Sequence, residues 1–106
     1  MTVTDAWVAN GLAALGNRTR LALFRLLVRA GPDGMTIGAI QQALDAAPST
    51  LAHHIATLVR AGLIEQEKRG REVINRAAYE AMNALIDHLT AECCAGVPVA
   101  QAEDAA

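Results

Sequence analysis

Pro48 and Gly62 bracket a segment with one legible helical face, and the residues on either side of it leave few folds open. Proline suits a helix start, because its missing N–H has no partner there in any case. Glycine suits the end, where a left-handed residue turns the chain out of the helix. Between them Leu51, Ile55 and Leu58 recur at helical spacing. Upstream, before the turn Asp45-Ala46-Ala47, a helix capped by Thr36 is expected to reach about Leu44 and to carry Ile37, Ile40 and Leu44. Downstream, residues 63–68 and 72–76 flank Arg69-Gly70-Arg71 and read as a β-hairpin. Two helices joined by a tight turn, followed by a hairpin, describe a winged helix-turn-helix.

The remaining elements are helical. Asp5 to Leu15 places Trp7, Val8, Leu12 and Leu15 close to helical spacing. Gly16 and Asn17 break that helix, and Asn17 can cap a second one over about 18–30. Leu21, Phe24, Leu27 and Val28 are expected on its inner face, with Arg18, Arg25 and Arg29 in solvent. Gly31-Pro32-Asp33-Gly34 is a turn cluster. A fifth helix is expected from Ala77 to about Cys93, with Met82, Leu85, Ile86 and Leu89 as its apolar stripe. Alanine supplies much of the 53% hydrophobic content, and Trp, Phe and Tyr occur once each, which suits close helix–helix contacts. The expected architecture is mainly α: five helices plus a two-stranded wing in one domain over 1–94. An alanine-rich flexible tail is expected over 95–106.

No apolar run approaches the roughly 18 residues that span a bilayer. Residues 1–10 lack the charged-then-apolar pattern of a signal peptide, so the cytoplasm is expected, where thiols stay reduced. The net charge of −2 hides an asymmetry. Residues 1–76 hold nine Lys/Arg and six Asp/Glu, a net +3, whereas 77–106 hold five acids and no base. A basic body can face DNA while the acidic end points elsewhere. In a winged helix the second helix enters the major groove by its N-terminal end. Ser49, Thr50, His53 and His54 lie there, with Thr57 one turn later, and Arg69 and Arg71 at the wing tip suit phosphate or minor groove. Taken alone, His53-His54 reads equally well as part of a DNA-reading face or as a solvated face with one histidine packed against the turn. As metal ligands they are poor, since helical neighbours point about 100° apart. No glycine-rich phosphate loop, catalytic triad or paired-carboxylate site emerges, so no enzyme is expected.

Cys93 and Cys94 are the only cysteines. Adjacent cysteines make a poor staple, because a disulfide prefers Cα atoms about 4.4–6.8 Å apart and a dihedral near 90°. One pair cannot fill a four-coordinate zinc site. Two neighbouring thiolates can pinch one soft, thiophilic atom; the bland alternative is two small hydrophobes at a helix end. The end of a helix, beside Glu92, is the wrong place for an attacking thiolate, which argues against a redox catalyst. Side chains of adjacent helical residues diverge, so gripping one atom would require the last turn to unwind, which Gly96 and Pro98 make easy.

Three motifs in order carry a family resemblance: Leu15-Gly16-Asn17-Arg18-Thr19-Arg20-Leu21, Ser49-Thr50-Leu51-Ala52-His53-His54-Ile55 and Leu58-Val59-Arg60-Ala61-Gly62-Leu63-Ile64. They resemble the arsenic repressor (ArsR/SmtB) family of homodimeric winged-helix regulators, over roughly 10–96. The last helix with Cys93 and Cys94 is similar to the branch whose inducer site lies at that helix end. The chain departs from relatives with a Cys-x-Cys in the third helix, having Thr36-Ile37-Gly38-Ala39 there. Asp87, His88 and Glu92 lack the second histidine of the zinc-binding members, and no third cysteine follows the pair. The resemblance implies a homodimer that binds operator DNA, needs no resident cofactor, and is released by trivalent arsenic or antimony on Cys93 and Cys94. Methylarsenite, which needs two sulfurs, fits beside arsenite and antimonite. A redox- or sulfide-sensing regulator and a winged-helix protein adaptor are the alternatives.

Overall fold

Local chemistry sets the helix starts. In the computed structural model, which describes residues 2–98, Asn17 Oδ1 accepts from the N–H groups of Thr19 and Arg20 at 3.0 and 3.1 Å. That cap starts α2 (Arg18–Ala30) directly after α1 (Asp5–Leu15). Thr36 Oγ1 accepts from the Ala39 N–H at 3.2 Å and starts α3 (Ile37–Leu44). Pro48 opens α4 (Pro48–Arg60), and Gly62, with φ of 80°, turns the chain into the wing. The wing strands are β2 (Ile64–Arg69) and β3 (Glu72–Ala77), paired antiparallel with Arg69 opposite Glu72; α5 (Tyr79–Thr90) follows.

The expected two-stranded wing is extended by β1 (Met35–Thr36) into a three-stranded sheet in the order β1-β3-β2. In this extra strand Met35 stands opposite Asn75 and Thr36 opposite Ile74. Gly34 makes it possible. Its φ is +68°, and a Cβ there would stand 2.6 Å from the Asn75 carbonyl oxygen, so only glycine lets the chain pass so close to β3. Asn75 is buried and satisfied within this sheet, donating to the Met35 carbonyl at 3.3 Å and accepting from Gln66 Nε2 at 2.8 Å.

Leu23, Leu27, Ile40, Leu51, Leu58 and Leu63 are fully buried at the centre of the core. Two apolar faces differ from expectation. On α1 the buried positions are Val8, Gly11 and Ala14, and on α2 Leu23 takes the place expected for Leu21; Leu12 and Leu21 are exposed. Gly11 explains the first shift. It lets Leu85 of α5 come so near that a Cβ would sit 2.8 Å from Leu85 Cδ1.

Helix α5 is shorter than expected at both ends. Ala77 belongs to β3, opposite Ile64. At the other end Thr90 Oγ1 donates back to the carbonyls of Ile86 and Asp87, a local bond that competes with helix continuation. Every residue over 91–98 is exposed, so a further turn would bury no apolar face. Cys93 and Cys94 therefore stand beyond the helix. Of the expected tail, 95–98 form neither helix nor strand, and 99–106 lie outside the described residues. No helix among the described residues is long and apolar enough to cross a membrane.

Candidate nucleic-acid interface and thiol site

Three of the four expected reading residues share one surface. Ser49, Thr50 and His53 are exposed near the start of α4. Ala47 offers no side-chain cap and Pro48 has no N–H, so the first turn leaves backbone donors free to face an anion. Thr57 Oγ1 donates to the His53 carbonyl at 3.0 Å and accepts from Arg60 Nη2 at 3.4 Å. Arg60 escaped the sequence reading. It is exposed seven residues beyond His53 and eleven beyond Ser49, which puts all three on one side of the helix, and it makes no ion pair among the described residues. That spacing was the available signal.

His54 does not join this surface. It lies three residues after Leu51, on the core side of α4, and is 9% exposed. Its ring faces Arg20 of α2, with Nδ1 3.3 Å from Arg20 Nη1. The His53 and His54 rings lie 5.8 Å apart and tilted. Of the two histidines expected to meet DNA, only His53 lies on the exposed reading face, while His54 is turned into the core.

On the wing, Arg69 and Arg71 are both exposed but differently engaged. Arg69 Nη2 donates to both oxygens of Glu67 at 3.2 Å. Arg76 Nη2 reaches the same carboxylate at 2.6 Å, while Arg76 Nε donates to the Pro32 carbonyl at 3.1 Å. Hydrogen bonds from Arg76 and then Arg69 hold the Glu67 carboxyl below its ordinary range. Arg71 and the neighbouring Lys68 hold no carboxylate among the described residues, and both are exposed.

The two thiols meet at the opposite end of the chain. Cys93 Sγ and Cys94 Sγ are 3.5 Å apart and both residues are exposed. The loop that carries them is irregular: Glu92, Cys94 and Gly96 have φ of 62°, 65° and 92°. The Cys93 N–H donates to the Thr90 carbonyl at 3.2 Å, and the Ala95 N–H to the Glu92 carbonyl at 3.0 Å. The expectation that the last helical turn must unwind before both sulfurs can meet is overturned, since the sulfurs already converge outside the helix. His88, in the last turn of α5, is 2.6 Å from Asp5 Oδ1 of α1. Asp87, His88 and Glu92 do not gather: among the described residues no three His, Cys, Asp or Glu side chains are placed to hold a metal ion.

A helix-turn-helix domain family model matches residues 15–67, half of the chain. A comparison with curated proteins found no match. Among solved structures, an ArsR-like transcriptional regulator from Rhodococcus sp. RHA1 is 28% identical, with 79% of this chain and 76% of that one covered at a TM-score of 0.71. HlyU from Vibrio cholerae is 26% identical over 89% of this chain and 99% of its own, at a TM-score of 0.68. A homodimeric winged helix-turn-helix DNA-binding domain from Mycobacterium bovis, described as a possible ArsR-family regulator, is 26% identical over 82% and 80%, at 0.65. The wing, the exposed N-terminal face of α4 and these likenesses agree: the chain belongs to the helix-turn-helix domain family and is an ArsR-like winged-helix transcriptional regulator that binds DNA.

Proposed function

We propose that the protein is a homodimeric repressor that leaves its operator when Cys93 and Cys94 chelate a trivalent arsenical or antimonial. The observation that carries this reading is the exposed sulfur pair, 3.5 Å apart with no third ligand gathered beside it among the described residues. Sulfur bonds of about 2.3 Å, the zinc–thiolate length, would span that 3.5 Å separation at an angle of about 99°. This is narrower than a tetrahedral angle and suits the pyramidal arrangement of a trivalent centre. With methylarsenite the step balances as two S–H and two As–OH bonds replaced by two As–S bonds and two water molecules. The carbon substituent fills the third position, so no third protein ligand is needed. The soft sulfur donors favour arsenic or antimony over magnesium, calcium or manganese.

The homodimer is built on α1 and α5. Leu12, Ile86 and Leu89 are 42%, 49% and 55% exposed, apolar side chains that a monomer leaves in water. A two-fold axis through that face would present the two α4 helices to half-sites about 34 Å apart. The unit over 1–94 then carries both DNA reading and dimerisation.

Anisotropy of a labelled duplex, selected from a random pool by the wild-type protein, tests the switch. Methylarsenite, in a monodentate phosphine reductant, should release the wild type. Cys93→Ser and Cys94→Ser should each bind the duplex normally and fail to respond, because one sulfur loses the chelate. Moving a population from about 1:99 to 99:1 takes about 5.5 kcal/mol of differential affinity, more than a single sulfur contact is expected to supply. Undiminished release of either variant removes the pair from the mechanism. Release by peroxide but not by methylarsenite would transfer the site to redox sensing.

A further inference from the structure

His54 and Asn75 are the two polar side chains buried in the described core. Asn75 is held within the sheet. His54 instead reaches out of its own helix to the Arg20 guanidinium, with Nδ1 3.3 Å from Nη1. The same guanidinium donates from Nε to the Ala14 carbonyl at 2.6 Å, in the last turn of α1. The backbone N–H of Arg20 is fixed in turn by Asn17 Oδ1 at 3.1 Å. One guanidinium therefore joins α1, α2 and the DNA-reading helix α4. Arginine has donors only, so the bond to His54 requires an unprotonated Nδ1 and puts the ring proton on Nε2.

The bond acts where orientation matters. His54 follows the exposed His53 directly and lies one turn after Thr50. Neighbouring residues on a helix point about 100° apart, so a modest rotation of α4 about its axis carries Thr50 and His53 away from a base edge. Apolar contacts from Leu51, Ile55 and Leu58 resist separation of α4 from the core but have no directionality. A hydrogen bond does. Arg20 on α2 and His53 on α4 are the charged or titratable groups that bear on the His54 ring; α1 contributes the Ala14 carbonyl through Arg20.

We infer that His54 is a positioning residue: its hydrogen bond with Arg20 sets the rotation of α4 for base reading by Thr50 and His53, and a proton on Nδ1 releases it. The inference rests on the DNA-binding role of α4. Burial first, then the Arg20 guanidinium, then His53, hold the His54 imidazole below its ordinary value, so the accepting form prevails at neutral pH. The sign follows. The contribution of the bond is complete above about pH 6.5, the ordinary histidine value, and is lost as pH falls through the lower folded value.

The test is the pH profile of anisotropy binding to the selected duplex and to a scrambled one, for the wild type, His54→Asn and His54→Phe. Asparagine keeps an acceptor near the Nδ1 position and does not titrate; phenylalanine keeps a ring and has no acceptor. The wild type should lose about tenfold in preference for the selected duplex on acidification, equivalent to about 1.4 kcal/mol. His54→Asn should match the wild type near neutrality and lose less in acid, and His54→Phe should show the lower preference at every pH. His53 is common to all three proteins, so the differences between profiles belong to His54. Parallel profiles for the wild type and His54→Asn, or full preference in His54→Phe, overturn the inference and leave DNA binding standing. If His54→Phe does not fold, the comparison of the wild type with His54→Asn decides alone. Failure of the wild type to bind any duplex overturns both the DNA-binding role and the inference.

Discussion

Replacing Glu67 with Gln is expected to tighten DNA binding and steepen its salt dependence, because Glu67 occupies a wing cation that could otherwise meet phosphate. Glu67 accepts from Arg69 at 3.2 Å and from Arg76 at 2.6 Å. Arg76 has a second anchor in the Pro32 carbonyl at 3.1 Å, so it stays in place when the carboxylate is gone. Arg69 has no other partner among the described residues, and its side chain is 62% exposed, so it is released outward. Each added phosphate contact steepens the plot of log affinity against log salt by about 0.9. From about 50 to 200 mM salt, one added contact means about a 3.5-fold greater loss of affinity. Arg71→Ala should flatten the plot by the same amount, for every duplex alike. The double variant Glu67→Gln, Arg71→Ala should then return to the wild-type slope with a different arginine making the contact. Anisotropy titrations at a series of potassium chloride concentrations read this directly. An unchanged slope in Glu67→Gln, or a gain that survives the further change Arg69→Ala, refutes the reasoning. The titrations belong near neutral pH. The lowered Glu67 pKa means its pairing is complete above about 4.3, the ordinary glutamate value, and is lost as pH falls through the lower folded value.

Thr50→Ala and His53→Ala should each cost about 1–3 kcal/mol at one base position of the selected duplex while binding to unrelated duplex is unchanged; equal losses on both would move the reading face elsewhere. Leu89→Glu should convert the dimer to monomer at micromolar concentration in sedimentation velocity, since it puts a charge on the exposed stripe of α5, and an intact dimer would remove that stripe from the interface. Gly34→Ala should destabilise the fold by about 2–4 kcal/mol, combining a left-handed backbone with an overpacked contact. Its Cβ would meet the Asn75 oxygen at 2.6 Å and Ile74 Cγ2 at 2.7 Å. A melting temperature within about 4 °C of wild type would show that β1 yields without cost.

The starts of α2, α3 and α4 were legible because each has its own chemistry: Asn17 and Thr36 cap by side-chain oxygen, and Pro48 needs no partner for an N–H. Gly62 and the Arg69-Gly70-Arg71 turn marked the wing in the same local way. Helix α5, by contrast, begins after Ala78 with no side-chain cap, and its start was misplaced. What escaped was set by contacts distant in sequence. β1 is two residues long and exists only through its pairing with β3, so no local pattern announces it. Periodicity showed that Leu12 and Leu21 are apolar at helical spacing, yet it cannot separate a residue facing its own core from one left on the surface. His53 and His54 are identical in type and adjacent in sequence. Only the heptad-like placement of His54 between Leu51 and Leu58, together with Arg20 across the helix pair, sends one inward.

The end of α5 changes the mechanics of the thiol pair more than its chemistry. Were the cysteines helical, a chelate would have to break backbone hydrogen bonds and spend binding energy on melting a turn. Instead the helix stops at Thr90, and the sulfurs converge in a loop with left-handed Glu92 and Cys94. A non-glycine residue held left-handed costs roughly 1–2 kcal/mol, so the unliganded loop gains little from staying there. A metalloid bridging both sulfurs would hold that arrangement and thereby order a segment that is otherwise fully exposed. Under the proposed switch, the consequence for DNA would pass through α5 into α1, where two contacts of unequal stiffness lie. The His88–Asp5 bridge is short, but Asp5 is 98% exposed and such surface pairs transmit little. Gly11 against Leu85 is the more closely packed contact: a Cβ on Gly11 would stand 2.8 Å from Leu85 Cδ1, the end of a flexible side chain, so α5 and α1 are coupled through buried packing that can adjust rather than through a rigid stop. Arg20 takes hold of the far end of α1 at Ala14. On the proposed mechanism, a local event at the thiols would reach the reading helix through Leu85 against Gly11 and Arg20 at Ala14, rather than through the exposed His88–Asp5 hydrogen bond.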